Sequence, residues 1–286
     1  MRMHNADETC GITQAALVLG DWWNVLVLRE VARGHVRFDA LAAEIGLSRK
    51  VLSERLGRLV ASGVLTRSLY QRRPVRYEYL LTDAGTALLP LLVAMQDWGD
   101  RWVLGDGTLT ATAEADSAEH TRVHALPGTR LPADLQLPGA HGTDTPLVSP
   151  DAPATVLFTY PGTGIEWGPI PGAAGCTLEN RLFREAWPDF EQAGAQIRGI
   201  STQLTEEQRE FASTEKIPYP LLSDASHQLA AALRLPTFRG AGRLRHKRLI
   251  LITDAERTVR HVLFPVDDIP HAVTESLRLA KECAAL

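Results

Sequence analysis

One stretch of this chain, residues 38–79, constrains the fold more than any other. Its apolar residues predict a short amphipathic helix over 41–45, which Gly46 ends, and a second helix that Ser48 can cap. The second helix carries an apolar stripe at i, i+4, i+7 and i+8, formed by Leu52, Leu56, Leu59 and Val60. Two alternating stretches follow and predict a hairpin over 64–81. Helix, turn, helix and hairpin in this order predict a winged helix-turn-helix of the α+β class.

Positive charge is concentrated in this stretch, although the whole chain has a formal net charge of −4. Glu54 is the only acid between Arg49 and Arg76. Basic side chains on a helix-turn-helix and on its hairpin are the pattern expected for contacts with DNA phosphates, and a solvated basic helix without a partner is the alternative. The predicted DNA-binding residues are Arg49, Lys50, Ser53, Arg55, Arg72, Arg73 and Arg76. Double-stranded DNA is therefore the expected partner.

The length of 286 residues suits two domains better than one, and a hydrophobic content of 45% allows each domain to build a core. No apolar run reaches membrane-spanning length and the first residues lack the shape of a signal peptide, so we expect a cytoplasmic protein without a membrane partner. The three cysteines, Cys10, Cys176 and Cys283, match neither a secreted disulfide framework nor a cysteine-based zinc site. We expect no metal and no cofactor.

The composition predicts domains at 1–104 and 126–286, joined by a linker over 105–125 that is rich in glycine, threonine, alanine and aspartate. We expect a long apolar helix over 83–102, together with the first helix, to form the interface of a homodimer. Packing of that long helix onto the second domain is the alternative. In the second domain strands and helices alternate, which predicts a mixed sheet flanked by helices and an α/β chain overall.

Cys176 stands where a loop rich in glycine and proline, 170–175, meets the predicted start of a helix. Backbone N–H groups and the helix dipole at such a position stabilise an anion, so we expect a lowered pKa for this thiol. The thiolate is the form that reacts with peroxides and electrophiles. The alternative is a small buried hydrophobic residue that happens to begin a helix.

The first domain carries an ordered set of motifs, among them Leu19-Gly20-x-Trp22, Leu26-x-Leu28-Arg29-Glu30, Arg37-Phe38-x-x-Leu41, Gly63-Val64-Leu65 and Pro74-x-Arg76-x-Glu78-Tyr79-x-Leu81-Thr82. In these motifs it resembles the HxlR-type transcription regulators. The resemblance implies a dimeric winged-helix DNA binder. In some members the cysteine before the first helix senses oxidants or electrophiles, and Cys10 holds that position. Asp21 departs from the family, which often has a lysine there.

The second domain carries the motifs Pro132-Ala133-x-Leu135-x-Leu137-Pro138, Phe158-x-Tyr160-Pro161, Pro171-Gly172, Gly175-Cys176-Thr177-x-Glu179, Gly199-Ile200-Ser201 and Pro220-Leu221-Leu222-Ser223-Asp224. In these motifs it resembles the peroxiredoxins, which have a thioredoxin-like fold, and is nearest the bacterioferritin-comigratory type. The resemblance places Cys176 on the peroxidatic cysteine and Arg248 on the family's second active-site arginine. The catalytic residues that it implies are Cys176, Arg248, Thr177 and Glu179.

Two departures from the peroxiredoxin pattern bear on the chemistry. Ala173 stands where the family has a threonine that hydrogen-bonds the peroxide, and we expect its loss to slow cleavage of the O–O bond. Arg181 stands where this subtype has its resolving cysteine. Cys10 and Cys283 are therefore the only disulfide partners that the chain offers to Cys176.

Three functions stay open at this point. The first is a dimeric transcription regulator that senses peroxides or electrophiles through Cys176, with Cys10 as the second redox-sensing candidate, and so changes its binding to an operator. The second is a one-cysteine thiol peroxidase with a DNA-binding appendage. The third is a regulator whose thioredoxin-like domain holds a small-molecule effector without redox chemistry. The residues proposed to line such a pocket are Trp167, His227, Phe238 and His246.

Overall fold

The computed structural model of the protein describes residues 9–104, 110–140 and 142–285. Contacts along the chain divide it into two compact units, Met1–Leu92 and Val93–Leu286. Within the described ranges, no single helix is long and apolar enough to cross a membrane.

The first unit is built from helices and one antiparallel hairpin. Its elements are α1 (Gly11–Leu19), α2 (Trp22–Ala32), α3 (Phe38–Ile45), α4 (Arg49–Ala61), β1 (Leu65–Arg72), β2 (Val75–Leu81), α5 (Asp83–Thr86) and the beginning of α6 (Leu89–Trp102). The hairpin pairs Leu65 with Leu81 at its base and Arg72 with Val75 at its tip. The predicted order of helix, turn, helix and hairpin is therefore confirmed.

The turn between α3 and α4 forms as the sequence predicts. Gly46 ends α3 with a left-handed φ of 71°, and Ser48 Oγ accepts a hydrogen bond from the N–H of Val51 at the start of α4. One apolar face of each helix meets in a common core, whose buried members include Val27, Leu28, Val31, Leu41, Leu52, Leu56 and Leu59. Burial of this face leaves the polar face of α4 in solvent, where three of the predicted DNA contacts lie, Arg49, Lys50 and Ser53.

The single long helix predicted over 83–102 is wrong, because the structure contains two helices there. Thr82 Oγ1 accepts a hydrogen bond from the N–H of Gly85 and begins α5, which ends at Thr86. Pro90 is the second residue of α6. Proline has no N–H to donate and fits the first turn of a helix, so a new helix begins at this point.

The second unit is organised around a five-stranded sheet. After α6 its elements are α7 (Ala118–His124), β3 (Gln136–Pro138), β4 (Asp144–Pro146), β5 (Ala154–Thr159), α8 (Cys176–Gln192), β6 (Ala195–Ser201), α9 (Thr205–Glu215), β7 (Leu221–Ser223), α10 (Gln228–Leu233), β8 (Thr237–Gly240), β9 (Arg243–His246), β10 (Leu249–Asp254), β11 (Val259–Leu263) and α11 (Ile269–Ala284). The strand order is β11-β10-β5-β6-β7. β5, β6 and β7 are parallel, whereas β10 is antiparallel to β5 and to β11. The predicted mixed sheet of a thioredoxin-like fold is confirmed.

Apolar residues on both faces of the sheet build two separate cores. Along β5, Val156 and Phe158 belong to the core shared with α8 and α11, and Leu157 belongs to the core on the other face. This alternation follows from the two-residue period of a strand. Because β5 is covered on both faces, all six of its residues are buried. The sheet therefore forms a rigid base for the loop that follows β5 and leads to Cys176.

Residues 110–125, which the sequence assigned to a linker, are folded into the second unit. They contain α7, and Val123 of that helix is 1% exposed within one of the two cores. Glu119 of α7 is buried because it pairs with Lys247, far away in the sequence. With only seven residues and a mostly polar composition, α7 has no apolar stripe that would reveal it. Residues 105–109 of the assigned linker lie outside the described ranges, and the domain limits of 104 and 126 stay a prediction.

The pair of Lys247 and Glu119 gives a stability prediction. Lys247→Ala removes the cation beside a buried carboxylate, so we expect the second unit to lose about 3 kcal/mol of unfolding free energy. Arg239→Ala is the matched control, because Arg239 is 58% exposed and contacts Asp97 at 3.6 Å. It should cost less than about 1 kcal/mol. Urea unfolding followed by circular dichroism measures both changes, and equal losses in the two variants would contradict the structural role of this pair.

Candidate functional site

The basic face of α4 is exposed as the sequence predicts. Arg49, Lys50 and Ser53 are all exposed at the start of this helix. Arg49 is held in place from α3, since its guanidinium lies 2.8 Å from Asp39 Oδ1 and over the ring of Phe38. The hydrogen bond from Arg49 lowers the pKa of the Asp39 carboxyl, which keeps that acid ionised. Asp39 thereby orients a predicted DNA contact while neutralising part of its charge.

The hairpin presents the remaining predicted cations. Arg72 and Arg73 are exposed at its tip and form no ion pair within the described ranges. Arg76 is also exposed, and its guanidinium lies 3.7 Å from Asp39 Oδ2. One carboxylate thus contacts both α4 and β2. The two arginines at the tip are left with their full charge for a partner such as a phosphate.

Arg55 differs from the other predicted DNA-binding residues. Its side chain is only 15% exposed, and its guanidinium lies 2.7 Å from Asp21 Oδ2. Asp21 also accepts a hydrogen bond from the N–H of Trp23 and so caps α2. The charge of Arg55 is therefore engaged inside the unit, where it ties α4 to α2. This arrangement explains the aspartate at position 21, where the related regulators often have a lysine.

Cys10 immediately precedes α1 and is partly exposed. The Thr13 hydroxyl and the backbone N–H groups of Thr13 and Ile12 lower the pKa of its thiol. These groups stabilise the thiolate without burying it. A partly exposed thiol with a lowered pKa suits the sensing role predicted for Cys10.

Cys176 is the first residue of α8 and is 3% exposed. Its thiol donates a hydrogen bond to the carbonyl oxygen of Ala173 at 3.5 Å. The guanidinium of Arg248 lies on the other side, with Nη2 at 3.4 Å from Cys176 Sγ and at 3.0 Å from the carbonyl oxygen of Ala174. The structure therefore brings Cys176 and Arg248 together, although 72 residues separate them.

Glu179 completes this arrangement one turn further along α8. It is fully buried, and its carboxylate accepts a hydrogen bond from Nη1 of Arg248. One arginine thus contacts both the thiol and the carboxylate, which fixes the position of its planar guanidinium. Thr177, the fourth predicted catalytic residue, is half-buried and takes no part in these contacts. The structure groups three of the four predicted residues.

The ionisation of this site differs from the sequence expectation. Burial raises the pKa of the Cys176 thiol, and the nearby Arg248 and the N–H of Gly162 only partly oppose this effect. Glu179 adds to the rise through its negative charge. Burial also raises the pKa of Glu179 to about 7, again against the influence of Arg248. The predicted lowering of the Cys176 pKa is therefore wrong, because the helix dipole argument did not include the loss of solvent.

A small apolar cluster covers the loop before Cys176. Ala173 is fully buried and packs with Ala111 and Phe238, while Trp167 and Ile170 border the cluster. The N–H of Ala111 donates a hydrogen bond to Pro171 O at 2.8 Å. At Gly172, whose φ is 75°, a Cβ would meet the backbone of Thr112 at 2.9 Å. Residues 110–112 therefore lie directly on the loop that carries the thiol.

The four proposed pocket residues fall into two groups. Trp167 and Phe238 lie together beside Ala173, with their ring centroids 5.9 Å apart. His246 is instead fully buried, with Nε2 at 2.9 Å from Asp224 Oδ2. His227 contacts the carbonyl oxygen of Ala225 through Nδ1. A cavity of about 240 Å³ lies elsewhere in the second unit, beside Gly139, Thr143, Ile217 and Tyr219.

Cys283 is too distant to form a disulfide with Cys176 in this structure. A Cβ on Gly175 would contact the side chain of Ile269, so the N-terminal end of α11 lies beside the thiol. Cys283 is near the other end of α11, 14 residues further on and thus roughly 21 Å away. A disulfide needs Cα atoms within about 7 Å. Cys283 cannot therefore resolve an oxidised Cys176 without a large rearrangement.

One group of side chains has the spacing of metal ligands within the described ranges. The ligand atoms of Glu30, His35 and Glu44 lie within 4.8 Å of one another. Glu30 is already paired with the guanidinium groups of Arg29 and Arg33, each at 2.7 Å. A divalent cation would have to compete with both of them. The ion-pair network accounts for the burial of Glu30 and gives this group no support as a metal site.

Several residues of these sites carry no signal in the sequence. Asp39, Asp21, Glu119 and Lys247 act through partners on other elements, and Arg245 lies with Trp167 beside the thiol site. Motifs reveal residues that share a short stretch, whereas these contacts depend on the tertiary fold. The one weak signal is the cluster of cations in β9 and the residues after it, Arg243, Arg245, Lys247 and Arg248. Four cations within six residues are unusual next to a buried strand, because each buried cation requires a partner.

Two family models match separate parts of the chain. The HxlR-like helix-turn-helix family matches residues 18–106, and the AhpC/TSA family matches residues 127–262. YvaP of Bacillus subtilis, an HTH-type transcriptional regulator, is 38% identical over 101 residues, which are 35% of this chain and 94% of YvaP. The HTH-type transcriptional regulator Rv3095 of Mycobacterium tuberculosis is 39% identical over 92 residues, or 32% of this chain. This chain spans 58% of the length of Rv3095.

The second part of the chain has its own relative. Rv1608c of Mycobacterium tuberculosis, a protein named as a peroxiredoxin, is 33% identical over 133 residues, which are 46% of this chain and 80% of Rv1608c. Together the matches and the fold define the class: a winged helix-turn-helix joined to a thioredoxin-like peroxiredoxin domain. The chain belongs to the HxlR-like helix-turn-helix family over its first part and to the AhpC/TSA family over its second.

The contacts of Arg248 predict that Arg248→Gln and Glu179→Gln change the reactivity of Cys176 in opposite directions. Arg248→Gln removes the cation that lowers the pKa of Cys176, so alkylation of Cys176 by iodoacetamide near neutral pH should slow about tenfold. Glu179→Gln removes an anion that raises this pKa, so alkylation should become faster. Mass spectrometry of the Cys176 peptide measures both rates as a function of pH. Arg184→Gln, on the exposed side of the same helix, is the control, and a shift of the same sign in all three variants would contradict this assignment.

Proposed function

We propose that this protein is a homodimeric, DNA-binding transcription regulator whose peroxiredoxin-like domain senses peroxides or thiol-reactive compounds through Cys176 and thereby changes operator binding. Cys10 is the second candidate sensor. The observation that carries the proposal is the presence, in one chain, of an exposed basic helix-turn-helix and a closed thiol site.

Exposed cations support the DNA-binding output. Arg49, Lys50 and Ser53 project from the start of α4, the position from which a recognition helix contacts base edges. Arg72 and Arg73 at the hairpin tip are placed for phosphate contacts. Arg55 is the exception. Its pairing with Asp21 gives it a structural role and leaves little of its charge for a contact with DNA.

An unpartnered apolar stripe on α6 supports the homodimer. Leu91, Met95, Trp98 and Trp102 recur at i, i+4, i+7 and i+11, and their exposed fractions are 43%, 46%, 60% and 66%. Two tryptophans in water on one helix face are costly for an isolated protomer. A second copy of the same helix, related by a twofold axis, would cover the stripe with a chemically identical one. On α1, Ile12 and Leu17 are also exposed, with exposed fractions of 83% and 55%.

The chemistry proposed for Cys176 is a two-electron oxidation. The thiolate attacks one oxygen of a hydroperoxide, an S–O bond forms and the O–O bond breaks. Sulfur becomes a sulfenic acid, and the peroxide is reduced to an alcohol or to water once the departing oxygen takes up a proton. The guanidinium of Arg248, 3.4 Å from Sγ, stabilises the thiolate before attack and the negative charge that develops on oxygen.

The closed site favours a sensor over an enzyme. Cys176 is 3% exposed, Ala173 cannot donate the hydrogen bond of the family threonine, and Cys283 is out of reach. Each feature slows turnover, yet none prevents a single oxidation that is read out by a change of structure. The second function, a thiol peroxidase, requires steady consumption of peroxide with an external thiol. A sustained rate of peroxide loss in such an assay would favour it over the sensor.

A connecting segment, residues 110–124, supports the coupling between sensor and output. At one end it is bonded to the Cys176 loop through Ala111 N–H and Pro171 O, and Nζ of Lys247 donates to Thr112 O at 2.9 Å. At the other end the guanidinium of Arg122 binds both carboxylate oxygens of Asp100 on α6, at 3.1 and 2.6 Å. α6 also carries the proposed dimer stripe. Hydrogen bonds and an ion pair therefore connect the Cys176 loop, through the connecting segment, to the proposed dimer interface.

The DNA-binding proposal predicts different effects for the helix and the hairpin. Arg72→Ala/Arg73→Ala should weaken binding to all DNA sequences and lower the salt-dependence slope by roughly four, because each of the two protomers loses two cations. Arg49→Ala should reduce the preference for an operator, selected beforehand with the wild-type protein from random DNA, over unrelated DNA. Fluorescence anisotropy at several salt concentrations measures both. Lys281→Ala, an exposed cation of the second unit, is the control, and an equal loss in this variant would contradict the assigned surface.

The sensing proposal predicts which cysteine mediates the response. Treatment with hydrogen peroxide or cumene hydroperoxide should change the operator affinity of the wild-type protein and of Cys10→Ser, but leave Cys176→Ser unchanged. Cys176→Ser should still bind the operator like the reduced wild-type protein, because the side chains are nearly isosteric. Anisotropy and peptide mass mapping report binding and oxidation in the same samples. A response that survives in Cys176→Ser and is lost in Cys10→Ser would assign the sensor to Cys10 instead.

A further inference from the structure

Arg245 lies near the thiol site without a role in the chemistry described above. It is 3% exposed, and it forms no ion pair with a carboxylate in the described parts of the chain. Its Nε donates a long hydrogen bond of 3.4 Å to Gly240 O, and its Nη1 is buried without a hydrogen-bond partner. A buried charged donor with no acceptor is costly. Among the described residues, Nη1 of this buried cation therefore has no acceptor.

The β8–β9 hairpin fixes the side on which this cation lies. Phe238 and Arg245 are partners across the hairpin, so their side chains share one face. Phe238 packs against Ala173, three residues before Cys176. The Arg245 guanidinium is 5.8 Å from the centre of the Trp167 ring. A cation and two aromatic rings are therefore grouped beside the loop that carries the thiol.

Gly240 makes room for this group. A Cβ at position 240 would lie 2.8 Å from the ring of Phe238 and 2.9 Å from the ring of Trp167. The absence of a side chain there lets both rings approach the hairpin. Burial lowers the pKa of Arg245, while the charge of Cys176 is among the influences that raise it. This influence is consistent with a guanidinium close to the reacting sulfur.

We propose that Arg245, with Trp167 and Phe238, forms a subsite for the carboxylate of a small organic effector beside Cys176. A guanidinium binds a carboxylate through two parallel hydrogen bonds, which would satisfy the open donor. The two rings offer apolar contact to a short carbon chain, which an inorganic anion would leave unused. The inference rests on the proposed sensor function and deepens it: the effector is a carboxylate-bearing alkyl hydroperoxide.

The reaction at this subsite keeps the carboxylate on Arg245 throughout. The Cys176 thiolate attacks the terminal oxygen of the hydroperoxide, an S–O bond forms and the O–O bond breaks. Sulfur is oxidised to the sulfenic acid. The alkoxide that leaves takes a proton from water, and the product is a hydroxy carboxylate. Binding at Arg245 raises the local concentration of peroxide at the sulfur.

Binding is tested without redox chemistry by using hexanoate and its uncharged isostere hexanamide. Isothermal titration calorimetry should show that the full-length wild-type protein binds hexanoate at least tenfold more tightly than hexanamide. Arg245→Gln should weaken hexanoate binding about tenfold. Arg243→Gln should leave it unchanged, because Arg243 lies on the same strand but is 50% exposed and paired with Glu207. Equal affinity for the two probes, or equal loss in both variants, would overturn the subsite.

Reactivity is tested with a carboxylate-bearing alkyl hydroperoxide and its methyl ester. Quenched-flow mass mapping should show Cys176 oxidised about tenfold faster by the acid than by the ester, and Arg245→Gln should remove this acid-to-ester ratio, whereas Arg243→Gln should retain it. A wild-type protein that oxidises equally with both compounds overturns the subsite and leaves the proposed sensor intact. If neither compound oxidises Cys176, the sensor function fails, and calorimetry still decides whether Arg245 binds a carboxylate.

Discussion

The contacts of Arg248 are the interaction on which the thiol site depends. Its guanidinium is 2% exposed and bonds the Glu179 carboxylate, the carbonyl oxygen of Ala174 and Cys176 Sγ. A buried cation is tolerated only with partners of this kind, so the loop before α8 and the start of β10 are held together. The same charge opposes the effect of burial on the thiol. Without Arg248, burial and the negative charge of Glu179 would raise the pKa of the Cys176 thiol further.

Lys247, the neighbour of Arg248, extends this constraint to the connecting segment. Successive residues near a strand point in opposite directions, so Lys247 reaches Glu119 and Thr112 while Arg248 reaches the thiol. Two buried ion pairs therefore meet at one point of the chain. In the proposed sensor, a change of the Cys176 loop would act on Ala111 through its bond to Pro171 O, and the connecting segment leads from there to Arg122, which contacts Asp100 on α6. The thiol site and the connecting segment are therefore held by two neighbouring residues, Arg248 and Lys247.

The sequence was sufficient where local pattern decides the structure. The Gly46 and Ser48 turn, the apolar stripe of α4 and the position of Cys176 at the start of α8 all follow from spacing over a few residues. It was insufficient where distant residues meet. The pairing of Arg55 with Asp21, the burial of Glu119 and the grouping of Arg245 with Trp167 require the folded chain. The direction of the Cys176 pKa shift failed for the same reason, since burial is a property of the fold.

In the proposed sensor, oxidation of Cys176 is the event that changes DNA binding. The most direct test is a peroxide titration in which the fraction of Cys176 oxidised, by peptide mass mapping, and the operator affinity, by anisotropy, are measured in the same samples. We predict that the operator affinity changes in proportion to Cys176 oxidation and returns to its initial value when a thiol reductant removes the sulfenic acid. A change of affinity that follows oxidation of Cys10 while Cys176 stays reduced, or full oxidation of Cys176 with no change of affinity, would contradict it.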